Sequence, residues 1–139
     1  MGWIAWSLLS AFFAAVTAVT AKVGVDRVDA NLATAVRTSI VFVFTWLVAL
    51  LARHPNAAQP FSSRTWTYLA VSGLATGLSW VCYFHAIQLG EASRVAPVDK
   101  LSVALTIVFA AIFLGEPLTW TKALGGGLIV AGAITLAME

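Results

Sequence analysis

Asp99 and Lys100 stand side by side in RVAPVDKLS, residues 94–102, at the head of an apolar run. The uncharged stretch that follows, 101–114, is shorter than the roughly 20 residues needed to cross ~30 Å of hydrocarbon, so a spanning helix has to begin near Arg94. That start sets both charges about two turns below a membrane surface, where each costs on the order of 2.5–3.5 kcal/mol. Groups kept at that cost bind solute, carry protons or pair with other buried charges. Neighbours on a continuous helix are rotated by about 100°, so Asp99 and Lys100 are not expected to pair side by side. Asp99 instead heads a polar line with Ser102 and Thr106 at i, i+3, i+7 spacing, while Pro97, which has no N–H, frees a carbonyl in the same turn.

Arg37 raises the same question, because the uncharged remainder of its span, 38–52, is also too short alone. It is the cross-helix candidate to pair with Asp99, and loss of that pair in Arg37→Ala is expected to damage assembly. Once the two are paired, Lys22 and Lys100 leave a positive balance, which favours a carboxylate, phosphate or phosphonate over a bare cation. The competing reading makes Asp99 and Lys100 a structural device that fixes helix packing. Imidazoles exchange protons near neutral pH, so His85 is a candidate relay; a lone histidine at a helix end is more often an interfacial hydrogen-bonding residue. Trp80 and Tyr83 are candidates to stack on a ligand, against the commoner role of packing. No Ser–His–Asp spacing, metal-ligand cluster or pair of carboxylates is evident, so neither an enzyme nor a cofactor or metal is expected. The glycines at 125–127 lie in an apolar helix and lack the Lys-Ser/Thr ending of a phosphate loop.

The elements that must position these groups follow from composition. In 139 residues, 60% are hydrophobic and 10% charged, with a mean hydropathy of +0.92; soluble domains carry about a quarter charged residues, so this is an integral membrane protein in contact with a lipid bilayer. A formal charge of +2 without a basic run gives nucleic-acid binding no support. The single cysteine, Cys82, excludes an internal disulfide. The opening MGWIAWSLLS lacks a basic region and runs straight into a full-length span, so no cleaved signal peptide is expected.

The periodicity predicts five spans, at about 3–21, 31–52, 63–89, 94–114 and 119–138, in one domain. Small residues at four-residue steps, Gly73 and Gly77 in the third span and Ala123, Gly127 and Ala131 in the fifth, predict close helix contact or a dimer face. Ser62 is placed to cap the third span, with Phe61 and Trp66 as its hydrophobic staple. Glu116 is expected to stabilise the start of the fifth span, and Arg94 and Lys122 to reach into headgroups. An odd number of crossings puts the termini on opposite sides, A (N-terminal) and B. Trp3, Trp6, Trp46, Trp66 and Trp120 fall near A as an aromatic belt, whereas Lys22, Arg37, His85, Arg94, Asp99 and Lys100 fall in the B half. Loop cations divide evenly, Arg53, Arg64 and Lys122 on A against Lys22, Arg27 and Arg94 on B, so the positive-inside rule fixes no orientation and insertion both ways is open.

Lys22 closing the first span, Arg37 early in the second, and ASRVAPVDKLSVALTIVFAAIFLGEPLTWTKALGGGLIVAGA through the last two together resemble the EamA family of the drug/metabolite transporter superfamily. The resemblance covers essentially the whole chain, and LGE-x-L followed by LGGGLIVAG is its most specific part. Most of that family joins two five-helix units, mutually inverted, into ten-helix transporters, and this chain is similar to one unit. The resemblance therefore implies a homodimer, with an antiparallel arrangement suggested by the family's architecture. Family members export amino acids, other metabolites and drugs, which implies transport and fixes no substrate. The superfamily's four-helix multidrug exporters use a buried acidic residue in their first helix; this chain has none there, so that coupling is not carried over.

The reading that follows is an all-α, multi-pass protein of the cell membrane, the inner membrane if bacterial. It would move a small-molecule substrate as a dimeric secondary transporter, through Lys22, Arg37, Trp80, Tyr83, His85, Asp99, Lys100 and Ser102. The alternatives are a structural or regulatory subunit that needs a different partner, and a lipid-headgroup flippase. A channel has least support, with no ring of like charges or carbonyl filter.

Overall fold

In the computed structural model, which describes residues 2–52 and 61–138, the chain is helical and no strand occurs among the described residues. The helices are α1 (Trp3–Gly24), α2 (Ala30–Leu51), α3 (Ser63–Leu89), α4 (Ala92–Asp99), α5 (Leu101–Phe113) and α6 (Trp120–Ala137). Counting α4 and α5 as one span, Ala92–Phe113, five helices are long and apolar enough to cross a membrane. The connection at 53–60, which includes Arg53, lies outside the described residues.

Local chemistry explains where the helices start and stop. Asp29 caps α2, its Oδ1 accepting the Leu32 N–H at 2.9 Å. Ser62 does the same for α3, its Oγ accepting the Thr65 N–H at 3.1 Å, while the Phe61 and Trp66 rings meet edge-on at 5.7 Å as the expected staple. Thr119 caps α6 through the Lys122 N–H. After α5, Gly115 takes a φ of +68°, a left-handed conformation that glycine adopts without steric cost, and the Glu116 N–H reaches back to the Ala110 carbonyl at 3.2 Å. The first helix runs past its predicted end at 21 to Gly24, because Lys22 fits the last turn of a helix and does not terminate it.

The fourth span departs most from expectation, since it is two helices joined at Lys100. Pro97 cannot donate within α4, and the Lys100 N–H bonds to the Pro97 carbonyl at 3.0 Å while the Lys100 carbonyl accepts from Val103 at 2.9 Å. Three-residue turns on both sides of Lys100 thus replace the regular ladder.

The chain divides into two compact units, one formed by residues up to Val23 together with Leu89 onward, the other by Gly24–Gln88. In the first, the α4–α5 span packs on α6. The closest approach is at Gly126, where an added Cβ would lie 3.2 Å from Ile107 Cδ1; Gly126 and Ala133 are the buried residues of α6. The expected ridge of Ala123, Gly127 and Ala131 is exposed instead, as are Gly73 and Gly77 in the second unit, with nothing within 4 Å of a Cβ at Gly73, Gly77 or Gly127. Each of these faces is open within the chain and available to lipid or another copy.

In the second unit, Val25, Ala30, Thr34, Phe84 and Ile87 are buried, all towards the loop at 25–29, whereas most of α2 after Thr38 and of α3 before Trp80 is exposed. Gly126→Val is expected to overpack the Ile107 contact at a cost of about 1–3 kcal/mol. Gly125→Val, with open space around it, carries only the smaller change in helix propensity. Thermal unfolding of the two variants in detergent compares them directly.

Candidate functional site

Serine and threonine side chains inside the spans satisfy themselves on their own helix. Thr34 donates to the Ala30 carbonyl at 2.7 Å, Thr38 to Thr34 at 2.7 Å, Thr76 to Ser72 at 2.9 Å and Thr106 to Ser102 at 2.7 Å. Such i−4 back-bonding is the cheapest hydrogen bond available where water is absent. The polar line of Asp99, Ser102 and Thr106 is therefore partly an intrahelical ladder; Ser102 itself is exposed.

The ionisable residues reach further. In the first unit, Lys22 Nζ donates to the Gly90 carbonyl at 2.9 Å, tying the end of α1 to the turn before α4. Arg94 Nη2 donates to the Ala137 carbonyl at 3.1 Å and so places a cation on the last turn of α6, where the helix dipole is negative. Lys122 bridges to Glu116 at 3.1 Å across the start of that helix. Asp99 and Lys100 do pair, with Nζ 3.1 Å from Oδ2. This corrects the expectation from helical rotation: the rotation separates Cβ directions, but a flexible four-carbon stem outreaches it where the helix is interrupted.

In the second unit, three side-chain hydrogen bonds tie α3 to the loop at 25–29 and to the start of α2. Gln88 Nε2 donates to the Val25 carbonyl at 3.1 Å and also to the Val28 carbonyl, and His85 Nε2 sits 3.3 Å from Asn31 Oδ1. Farther along, the Arg37 guanidinium lies over the Trp80 ring, 4.5 Å from its centroid, and over the Phe84 ring at 5.4 Å. Arg37 thus has aromatic partners within its own unit, as Asp99 has Lys100 within its own. Tyr83 is half-buried, its ring meeting Phe84 edge-on at 6.4 Å.

Tryptophan usage follows the same division: Trp3, Trp6, Trp46, Trp66 and Trp120 are all more than half exposed, as an interfacial belt requires, and Trp80 alone is half-buried. Phe84, Asn31 and Gly90 were not singled out from sequence. For Phe84 a signal exists, four residues after Trp80 on one helix face, but a phenylalanine in an apolar helix does not stand out. Nothing in the sequence marks a particular backbone carbonyl as the acceptor for Lys22.

Apolar spans with ionisable groups drawn into them define a multi-pass helical membrane protein. Residues 1–138 match the model of the EamA-like transporter family, and the chain belongs to that family. It is 47% identical over 137 residues to an uncharacterized transporter in the cobO 3′ region of Sinorhizobium sp., covering 98% of this chain and 96% of that protein. It is 32% identical over 111 residues to the uncharacterized transporter YvbV of Bacillus subtilis, covering 80% of this chain but 36% of YvbV. The multidrug resistance protein mmr of Mycolicibacterium paratuberculosis is 47% identical over 84 residues, 58% of this chain and 76% of that protein. No solved structure matches the chain.

The Gln88 contacts yield a stability prediction. Gln88→Leu leaves two carbonyls without their donor and is expected to cost about 1–3 kcal/mol, read as a lowered midpoint of thermal unfolding in detergent.

Proposed function

We propose that this membrane transporter moves a small anionic or zwitterionic metabolite across the cell membrane as a homodimeric secondary carrier. Its site would be exposed alternately to each side by rocking of the two copies. The observation that carries this reading is the retention of Arg37, Asp99 and Lys100 inside otherwise apolar spans of a chain from a transporter family. Of the embedded groups only Asp99 is acidic, and Lys100 already neutralises it, so the charge left in each unit is positive, from Lys22 in the first and Arg37 in the second.

Two features support a dimer of opposed copies. A relative of nearly the same length matches end to end, while YvbV is matched over only about a third of its length and has room for a further unit. The even division of loop cations gives neither orientation an advantage. The exposed small-residue faces at Gly73 and Gly77, or at Ala123, Gly127 and Ala131, would let backbones of two copies approach closely.

Lys100→Ala is expected to reduce solute flux in proteoliposomes at least about tenfold, since it strands Asp99 without its partner; the dimer should persist in size-exclusion chromatography. Flux at the unsubstituted rate would count against the reading. Topology is checked independently with Ala57→Cys in a Cys82→Ser background, where an impermeant maleimide should label about equal fractions from the two faces of the cell membrane. Labelling from one face only would exclude opposed copies.

A further inference from the structure

The lysines and arginines among the described residues differ in what their hydrogen-bond donors do. Lys22 and Arg94 donate to backbone carbonyls, Lys100 and Lys122 to carboxylates, and Arg27 lies 3.9 Å from Asp26. Arg64 rests over Tyr68 at the exposed start of α3, within reach of headgroups and water. Arg37 is different. It is half-buried inside the α2 span, its guanidinium lies over two aromatic faces, and Tyr83 of the same unit is near enough to act on its charge.

Attraction to a ring quadrupole holds the positive charge but uses none of the five N–H donors of the planar fork. Among the described residues no hydrogen bond or ion pair involves that fork. Trp80 and Phe84, four residues apart, stand one above the other on one face of α3 and hold the guanidinium from that side. A fork positioned by stacking, with its donors unspent in an apolar span, is a preorganised receptor for a planar oxoanion.

We propose that Arg37 binds the carboxylate of the transported solute through its N–H edge, with Trp80 and Phe84 holding the fork in place. This rests on the transporter reading and names the substrate class of its site. A carboxylate fits better than a phosphate dianion, because the other arginines described in the same unit, Arg27 before α2 and Arg64 at the start of α3, do not share its turn and supply no second charge there. The neighbouring ring edges favour an apolar carbon skeleton next to the carboxylate.

The test uses the full chain in phosphatidylcholine nanodiscs, titrated with benzoate, its neutral isostere benzamide, and inorganic phosphate. Benzoate is expected to bind at least about tenfold more tightly than either of the others. Arg37→Lys keeps the charge but loses the fork, and should weaken benzoate about tenfold or more. Because that variant also disturbs the stacking, the unsubstituted protein provides a second readout: benzoate, and not benzamide, should protect Arg37 from phenylglyoxal as read by mass spectrometry. Equal affinity for benzamide, tighter binding of phosphate, benzoate binding unchanged in Arg37→Lys, or absence of protection would overturn the assignment. Protection by phosphatidylglycerol nanodiscs alone would also overturn it, giving the fork to a lipid phosphate. Protein that shows benzoate protection but carries no solute in proteoliposomes defeats the transporter reading and leaves the site standing. Protein that transports carboxylates equally well with Arg37→Lys defeats the site and leaves the transporter.

Discussion

Inside a bilayer, water is not available to complete the hydrogen bonds of a polar group, and many of the polar side chains described in the spans are placed accordingly. Hydroxyls turn back onto their own helices, as Thr34 and Thr106 do on the carbonyls four residues before them. Cations cannot do this, so they reach for carbonyls, a carboxylate or aromatic faces. The structure is held by this requirement more than by close backbone packing, since most large apolar side chains are exposed and suited to lipid.

The polar contacts of the second unit collect towards one end, whereas those of the first lie at both ends of α6, Arg94 at its last turn and Lys122 with Glu116 at its start. In the second unit, Gln88 ties α3 to the loop at 25–29, and His85 and then Arg37 bridge α2 and α3 beyond it, while most of the remainder of both helices is open. In the first unit, Lys22 holds the turn before α4 and Arg94 holds the end of α6. In the second unit the two helices are fastened near that loop and open along the rest, whereas in the first the α4–α5 span also packs along α6. The interruption at Lys100 adds a degree of freedom, because the span there is continued by three-residue turns and an exposed ion pair in place of a regular ladder.

Hydropathy and span length were enough to give the membrane class, the spans to within a few residues, the Ser62 cap and the Phe61–Trp66 staple, because these depend on local composition and on hydrocarbon thickness. The same arithmetic placed Arg37, Asp99 and Lys100 inside spans, since the uncharged stretches beside them are too short alone. Which partner each cation takes was not legible. Matching opposite charges at similar depth suggested Arg37 with Asp99 and pointed to neither of the partners found inside each unit, two rings for Arg37 and Lys100 for Asp99. Counting small residues at four-residue steps pointed to Gly127 for helix or dimer packing; within the chain it is Gly126 that meets Ile107, because the helix face that packs depends on which helix lies opposite. Spacing along one chain fixes depth and face, and only the folded arrangement decides which of many equivalent acceptors lies within reach of a long, flexible side chain.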